Sequence, residues 1–450
     1  MAEIATYDDV MRFLLEFVDY EKVSKFKYDI STFSLGRVEQ LMEAVGGPHR
    51  KLRAIHVAGT KGKGSTSIIS QSILTAAGYR TGLYTSPHLV RLEERMTIDG
   101  RMMSEREIVA LANRLAPYTE RARAEFPNES PTFFELVTAA GFLHFAEQKT
   151  DLAVVEVGMG GRLDATNVIT PAVSTITRID YDHVERLGDT LALIAGEKAG
   201  IIKAGVPVVV AQQDAEAMAV IEQRCRERGA PLTRIGQDYV AGRVEMRLTE
   251  EGPTTCFDLA GPNGKHEGLQ LHLLGAHQVT NAATAIASVA IAARALGLKV
   301  SADAIREGCK SARCPARLEY FTGRPPILLD AAHNPISMRG VCDTLDRIFA
   351  GRRVIVLMGV SRDKNSEEML RQILPRCSAV IFTKSDSPRA EEPVALAALA
   401  RQISWTTAEL IPDPRDALSR ARQVSDDNSL IVITGSFFLA GNLRPTLCTT

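Results

Sequence analysis

The segment Gly59-Thr-Lys-Gly-Lys-Gly-Ser65 holds residue types that bind phosphate when they occur together. Glycines let backbone N–H groups crowd around an anion. A helix N-terminus adds a partial positive charge, and Lys63 adds a full one. The apolar run Ile55–Ala58 enters this turn, and Lys63-Gly-Ser-Thr66 opens a predicted helix. The spacing departs from the common G-x-x-x-x-G-K-[ST] pattern. Val57 stands where the first glycine belongs, and Gly59 sits closer to the lysine. The chemistry is that of a variant phosphate loop for a nucleoside triphosphate, built from Gly59, Thr60, Lys61, Gly62, Lys63, Gly64 and Ser65. The plain alternative is a tight strand-to-helix connection.

Three more candidates fall at predicted strand ends, where open parallel sheets hold their ligands. Ser86 follows the strand Thr81–Thr85, Glu156 lies near the end of Leu152–Val157, and His183 follows Val173–Thr177. A hydroxyl, a carboxylate and an imidazole there are able to ring one cation beside the phosphates. Mg²⁺ takes few protein ligands, though imidazole is uncommon among them. Taken singly, Glu156 also reads as a capping or ion-paired carboxylate, and His183 as a polar loop residue. A helical lysine is ordinarily a solvated charge. Lys198, however, stands between Ala195-Gly196 and Ala199-Gly200, whose small side chains permit close packing. A desolvated lysine sheds its charge and becomes open to modification. In the second half, Asp330 and His333 come just after the apolar run Ile327–Leu329. They read either as an Asx-type turn with Pro335 starting a helix or as nucleotide contacts. Arg317 lies near the predicted domain boundary.

The elements that must position these groups alternate in type. Apolar runs at Ile55–Ala58, Thr81–Thr85, Leu152–Val157, Val173–Ile176 and Val206–Val210 are separated by helical patterns such as Ser65–Ala77. That alternation predicts a doubly wound α/β domain. Between Thr233 and Leu274, alternating polarity and the turns Gly252-Pro253, Gly261-Pro262 and Asn263-Gly264 predict a small antiparallel excursion. Helices at Asn281–Leu296 and Ala302–Ala312 follow. The short runs Ile327–Leu329, Val354–Met358, Ala379–Phe382 and Leu430–Thr434 predict a second, smaller Rossmann-like α/β domain. A chain of 450 residues suits two domains, here divided as 1–312 and 313–450.

Composition narrows the function. A formal charge of −1 gives no global field for nucleic acid or anionic membrane, and a single Trp argues against a stacking platform for single strands. No apolar run reaches the length that spans a bilayer. The seven scattered cysteines form no C-x-x-C pair, and the acidic start Met1-Ala-Glu-Ile has no apolar signal core. The expectation is a cytoplasmic protein with reduced thiols.

The motifs occur in one order along the chain: His56-Val-Ala-Gly-Thr-Lys-Gly-Lys-Gly-Ser65, Tyr84-Thr-Ser-Pro-His-Leu89, Thr132-Phe-Phe-Glu135, Val155-Glu-Val-Gly-Met-Gly-Gly-Arg-Leu-Asp164, Asp182-His183, Glu197-Lys-Ala-Gly-Ile-Ile202, Gly275-Ala-His-Gln-Val-Thr-Asn-Ala-Ala283, Arg317-Leu-Glu319 and Asp330-Ala-Ala-His-Asn-Pro335. Ser387-Pro-Arg-Ala390 and Thr434-Gly-Ser436 follow. Together they resemble folylpolyglutamate synthase and dihydrofolate synthase of the Mur ligase superfamily. The resemblance implies an N-terminal P-loop-type domain and a C-terminal Rossmann-like ligase domain. It implies ATP phosphates held by Gly59 to Ser65, with Lys63 on the β/γ oxygens. It implies two Mg²⁺ ions served by Ser65, Glu156, Ser86 and His183, and a Lys198 carbamylated by CO₂ into an anionic ligand. Asn281, Arg317, Asp330 and His333 would hold the nucleotide. Lys63, Lys198 and His183 would be the catalytic set.

The implied reaction is ATP-dependent addition of L-glutamate to a folate or dihydropteroate through an acyl phosphate, by a monomer. Three segments depart from the family's pattern: Lys61 in place of a common Asn, Ala331 in place of Gly, and Cys314-Pro-Ala in place of Trp-Pro-Gly. They bear on substrate preference more than on activity. The competing readings are a Mur-type ligase of cell-wall synthesis and a nucleotide-switched binding module.

Overall fold

The apolar runs become strands buried along almost their whole length, as a parallel sheet covered on both faces requires. The computed structural model describes all residues except 1–3, 22, 24–27, 30–31, 126–129, 250–251, 263, 404–406 and 449–450. Its strands are β1 (Ala54–Ala58), β2 (Thr81–Tyr84), β3 (Met96–Ile98), β4 (Arg101–Met102), β5 (Leu152–Glu156), β6 (Val173–Ile176), β7 (Val208–Val210), β8 (Leu232–Arg234), β9 (Val240–Thr249), β10 (Gly252–Gly261), β11 (Gly264–Leu271), β12 (Glu319–Phe321), β13 (Ile327–Leu329), β14 (Arg353–Met358), β15 (Ala379–Phe382), β16 (Ala408–Leu410) and β17 (Ser429–Thr434). The chain divides into two compact units. The first comprises 1–242, 258–267 and 280–311, and the second 243–257, 268–279 and 312–450. The segments 243–257 and 268–279 therefore go with the second unit, although the expected boundary assigned them to the first.

The first unit's sheet runs β4-β3-β2-β5-β1-β6-β7-β8. From β2 to β8 the neighbours are parallel; β2–β3 and β3–β4 are antiparallel. The central strand β1 lies between β5 and β6, pairing Val57 with both Glu156 and Thr175. The phosphate-loop turn and Glu156 thus leave adjacent strands at the same edge. Residues 240–271 form a separate sheet ordered β11-β10-β9. Its consecutive strands are joined by two-residue connections, a length that only antiparallel neighbours use. The second unit's sheet runs β12-β13-β17-β14-β15-β16, parallel except for the β12–β13 pair. Both halves are the α/β architectures expected from the alternating pattern.

Helix Lys63–Ala76 carries the phosphate loop's first turn and packs against helix Ala302–Ser311 at Gly308. A Cβ built on Gly308 falls onto Ile73 Cα and within 2.6 Å of Ile73 N. Backbone cannot yield there as a flexible side chain would. Gly308→Ala should therefore destabilise the protein by about 1–3 kcal/mol, read as a lowered melting temperature. An unchanged melt would show that the two helices are free to slide apart.

The helix Ala276–Leu296 is the one among the described residues long and apolar enough to cross a membrane. Of its most apolar window, 67% is buried inside the protein, as in a core helix.

Candidate active site

β1 delivers the chain to Gly59, whose φ of +149° and missing Cβ are both required. A Cβ there would land on Thr177 Oγ1. Gly62, at φ +90°, is equally constrained, because its Cβ would strike Asn281 Oδ1. Asn281 is thereby placed directly against the phosphate loop. The loop is pinned from the β6 side. Thr60 and Lys61 donate their N–H groups to the Arg178 carbonyl at 3.0 and 3.1 Å. The Thr60 hydroxyl donates to the Asp180 carbonyl at 3.0 Å. Helix Lys63–Ala76 follows with Gly62 as its N-cap, a residue with no side chain to occupy the first-turn N–H groups. Those groups and the helix dipole make an anion site. The helix begins two residues before the predicted Ser65, so Lys63 and Ser65 both lie in its first turn.

Two lysines converge on one oxygen. Lys63 Nζ and Lys198 Nζ donate to the Gly59 carbonyl at 3.2 and 3.0 Å. Lys198 is 4% exposed, and burial, then the Lys63 charge, pull its ammonium down to about 7. Of the small residues around it, Gly200 serves close packing, as does Gly161 on the facing loop, whereas Gly196 is exposed and has open space where a Cβ would stand. A Cβ on Gly161 would meet Glu197 O at 2.9 Å and Lys198 Cα at 3.2 Å. Gly200 lies against the Arg162 backbone in the same way. Arg162 N donates to the Glu197 carbonyl at 2.8 Å, and its guanidinium reaches the Glu197 carboxylate at 2.9 Å. The glycine-rich loop 158–164 is thus clamped onto the lysine's helix, Leu191–Ala199.

Glu156 is buried at the end of β5 and accepts from Ser86 N at 3.4 Å. A Cβ on Gly64 would sit 3.7 Å from its carboxylate, so this carboxylate faces the start of the phosphate-loop helix. Ser65 is 7% exposed in that same first turn. His183 has a left-handed backbone, φ +50°, and N-caps helix Val184–Leu187. Burial lowers its pKa, and Asp182 opposes the shift. Burial works against ionisation of Asp182, but the surrounding cations, Lys61 first, hold its carboxyl below the usual range. Lys61 Nζ lies 3.1 Å from Asp182 Oδ2, so the residue that departs from the family pattern ties the phosphate loop to the His183 turn.

Among the described residues no three His, Cys, Asp or Glu side chains gather as a metal cage. The expected two-ion set instead consists of hydroxyls, one carboxylate and one histidine. The hydroxyls and the carboxylate suit Mg²⁺, which takes few protein ligands and completes its shell with water and phosphate oxygens, while the His183 imidazole is an uncommon ligand for it. Lys198 fits that set only in a modified, anionic form, since an ammonium repels cations.

The second unit gives the remaining candidates a different setting. Asp330 is buried, which raises its pKa. Its oxygens accept from Leu318 N and Ala332 N, both at 2.8 Å. It therefore fastens the 316–318 turn, where Ala316 and Leu318 have positive φ, and so sets the backbone on both sides of Arg317. The turn reading of this segment is correct: Asn334 caps helix Pro335–Ile348 reciprocally with Ser337. His333 Nδ1 donates to the Ala331 carbonyl at 2.9 Å.

Several supporting residues carried no separate signal in sequence. Asp164 accepts from Met159 N and Thr166 N at 3.0 Å, and buried His56 meets Thr166 Oγ1 at 2.9 Å. Burial draws His56 down to about 3, so this link is neutral. Tyr28 Oη donates to the Met159 carbonyl and accepts from Gly161 N. The Thr132-Phe-Phe-Glu135 motif is a capping box whose glutamate also pairs with Arg37 at 2.6 Å.

Comparison with known proteins places this geometry. Residues 57–289 match the Mur ligase middle domain, and residues 316–437 match the Mur ligase glutamate ligase domain. A dihydrofolate synthase/folylpolyglutamate synthase of Bacillus subtilis is 36% identical over 416 residues, covering 92% of this chain and 94% of that protein. The chain belongs to the folylpolyglutamate synthase/dihydrofolate synthase family. The crystal structure of the Thermotoga maritima folylpolyglutamate synthase superposes with a TM-score of 0.87 at 35% identity, covering 98% of this chain and 97% of that one. The Mycobacterium tuberculosis folylpolyglutamate synthase complexed with ADP gives 0.85 at 34% identity, with 99% of each chain covered. Members of this family are ligases, and the phosphate loop, Glu156 and Lys198 stand together in this chain as one cluster at the strand ends.

Proposed function

We propose that this chain uses ATP to activate the carboxyl group of a folate-type acceptor and joins it to the amine of L-glutamate. The observation that carries the reading is the buried Lys198 amine, 3.0 Å from the Gly59 carbonyl of the phosphate loop and drawn down to about 7. A lysine whose amine is neutral in about half of the molecules near pH 7, beside a phosphate site, is suited to take up CO₂ as a carbamate. As a carbamate it would join Glu156, Ser65, Ser86 and His183 in holding Mg²⁺. Bound there, the metal would supply charge neutralisation on the phosphate oxygens. Gly59, Thr60, Lys61, Gly62, Gly64 and Ser65 line the triphosphate site, with Lys63 on its terminal oxygens. Asn281 lies against the same loop in the first unit. Arg317, Asp330 and His333 are assigned to the nucleotide from the second unit, with Asp330 acting through the turn it fastens.

A carboxylate resists nucleophiles because it is already anionic. Transfer of the γ-phosphoryl group to it gives an acyl phosphate and ADP. The glutamate amine then attacks the acyl carbon and phosphate leaves. The residues' task is to hold the phosphates in line and to keep water from the mixed anhydride. The protein is assigned to the cytoplasm as a monomer, without nucleic-acid or membrane partners.

Phosphate release, measured with ATP and Mg²⁺, tests the reading. It should require an acceptor and L-glutamate together, with ADP and the glutamylated acceptor formed in equal amounts. Release indifferent to both would support a nucleotide switch, and release driven by a muropeptide would support a cell-wall ligase. Running dihydropteroate and tetrahydrofolate side by side assigns the acceptor.

A further inference from the structure

Lys198 stands in the last turn of helix Leu191–Ala199. The carbonyl end of a helix carries partial negative charge, so that turn favours a cation. A carbamate on Lys198 would be an anion where the helix field opposes one. Unpaired carbonyls at the helix end are the source of that field. Here all five carbonyls from Glu197 to Ile201 accept a hydrogen bond. Glu197 O accepts from Arg162 N at 2.8 Å, Lys198 O from Ile201 N at 3.3 Å, and Ala199 O from Ile202 N at 3.0 Å. Gly200 O accepts from Asn167 Nδ2 at 3.3 Å, and Ile201 O accepts from the Ser174 hydroxyl at 3.0 Å. These last two donors are buried side chains from outside the helix, 4% exposed at Asn167 and 0% at Ser174.

Asn167 does more than meet one carbonyl. The same amide nitrogen donates to Arg162 O at 3.0 Å, so it ties the loop 158–164 to the chain just past the helix. That loop is the surface against which Lys198 is packed, through Gly161. Asn167 is itself held firmly. It lies in the single turn Ala165–Val168, which Asp164 caps. Its N–H donates to Asp164 O, and its carbonyl accepts from Lys203 Nζ, both at 2.8 Å. Its Oδ1 is buried and meets no partner among the described residues, so the amide serves here as a donor alone. A carboxylate of the same shape would set an acceptor against two carbonyls.

We propose that Asn167 is a positioning residue for a carbamylated Lys198, fastening the facing loop and occupying the carbonyl past the helix end so that an anion can form in the last turn. This rests on the carbamate in the functional reading above. In that step the electron pair of the amine attacks the carbon of CO₂. A C–N bond forms, one C=O electron pair moves onto oxygen, and a proton leaves the nitrogen for water. Asn167 acts on this step through the helix end and the loop.

The test uses the full-length protein, with Asn167→Ala, Ser174→Ala and, as a control, Arg162→Gln. The control removes the partly exposed guanidinium pair with Glu197 but keeps the Arg162 N–H and carbonyl. Protein depleted of CO₂ is titrated with bicarbonate at one pH, with Mg²⁺ and no ATP. The carbamate is trapped, and the fraction of intact protein carrying one added CO₂ is read by mass. Asn167→Ala should need about tenfold more bicarbonate for half-maximal uptake, Ser174→Ala about threefold more, and Arg162→Gln should stay within about twofold of the parent. Melting temperatures are recorded alongside, since a merely structural role would lower them and leave the bicarbonate midpoint in place. A folded Asn167→Ala with the parent's midpoint overturns the proposal. So does an equal shift in Arg162→Gln, because any loosening of the loop would then suffice. If Asn167→Ala does not fold, Ser174→Ala decides by the same readout. A parent that takes up no CO₂ would overturn the carbamate reading and this inference with it, whereas a carbamylated parent with unmoved variants overturns this inference alone.

Discussion

Lys63→Ala should lower turnover at least about 10²-fold while the protein keeps its fold. Removing one preorganised group that meets charge in the transition state costs about 3–4 kcal/mol, and each 1.4 kcal/mol is a tenfold change in rate. A lysine that meets the charge spread over transferring phosphoryl oxygens does at least that much. The structure supplies the reason the fold should survive. Lys63 makes one hydrogen bond to its own loop, at 3.2 Å to the Gly59 carbonyl, and opens its helix, where alanine is well tolerated. Gly59 and Gly62 hold the loop's path through their contacts with Thr177 and Asn281 whatever stands at 63. Lys61 is the control. Its side chain is 44% exposed and pairs with a partly exposed Asp182, so Lys61→Ala should cost less than tenfold. Steady-state rates with thermal melts for both variants check the contrast. Equal effects at 61 and 63 would mean that the loop needs overall positive charge and not a lysine at one place.

The phosphate loop was legible because its constraints are local. Gly59, Gly62 and Lys63 lie within five residues, and β1 before them is a buried run, apolar apart from His56. Lys198 was legible for a related reason. Ala195, Ala199 and Gly200 announce close packing, and Gly161 and Gly200 do pack against the opposing backbone, while Gly196 faces open space. Local pattern fails where a partner is remote in sequence. Arg95 and Glu21 are 74 residues apart, and each alone reads as a surface charge. The Glu135–Arg37 pair spans 98 residues, and only its capping-box half lies within a readable window. Asp330 shows a third situation. Its type and place were correctly singled out, but a carboxylate at a strand end can face a ligand or its own backbone, and here two N–H groups take its oxygens. The short strands β3, β4, β8, β12 and β16, at or next to the sheet edges, escaped because two or three residues give too little periodicity to separate a strand from a turn.

The second large effect concerns Lys198. Lys198→Ala should abolish activity, and acetate, propionate or another short carboxylate should restore part of it. Alanine opens a space where an anion belongs, and a free carboxylate can enter that space without the lysine's help. The parent enzyme should also need CO₂. A carbamate forms only from the neutral amine and releases a proton, so it is favoured by added bicarbonate and by rising pH. With the ammonium drawn down to about 7, the neutral fraction rises from about a tenth at pH 6 to about nine-tenths at pH 8. An ordinary lysine, losing its proton near 10.4, would be almost wholly charged across that interval. Activity in CO₂-depleted buffer should therefore be low and recover on adding bicarbonate, with the larger recovery above pH 7. The mass of the intact protein, measured after trapping the carbamate, should increase by one CO₂ in the parent and not in Lys198→Ala. Carboxylate rescue without CO₂ dependence would mean that the amine itself is the working group and the added anion merely fills a hole. CO₂ dependence that persists in Lys198→Ala would move the modified group elsewhere. The two measurements together therefore distinguish a lysine that works as an anion from one that works as a cation.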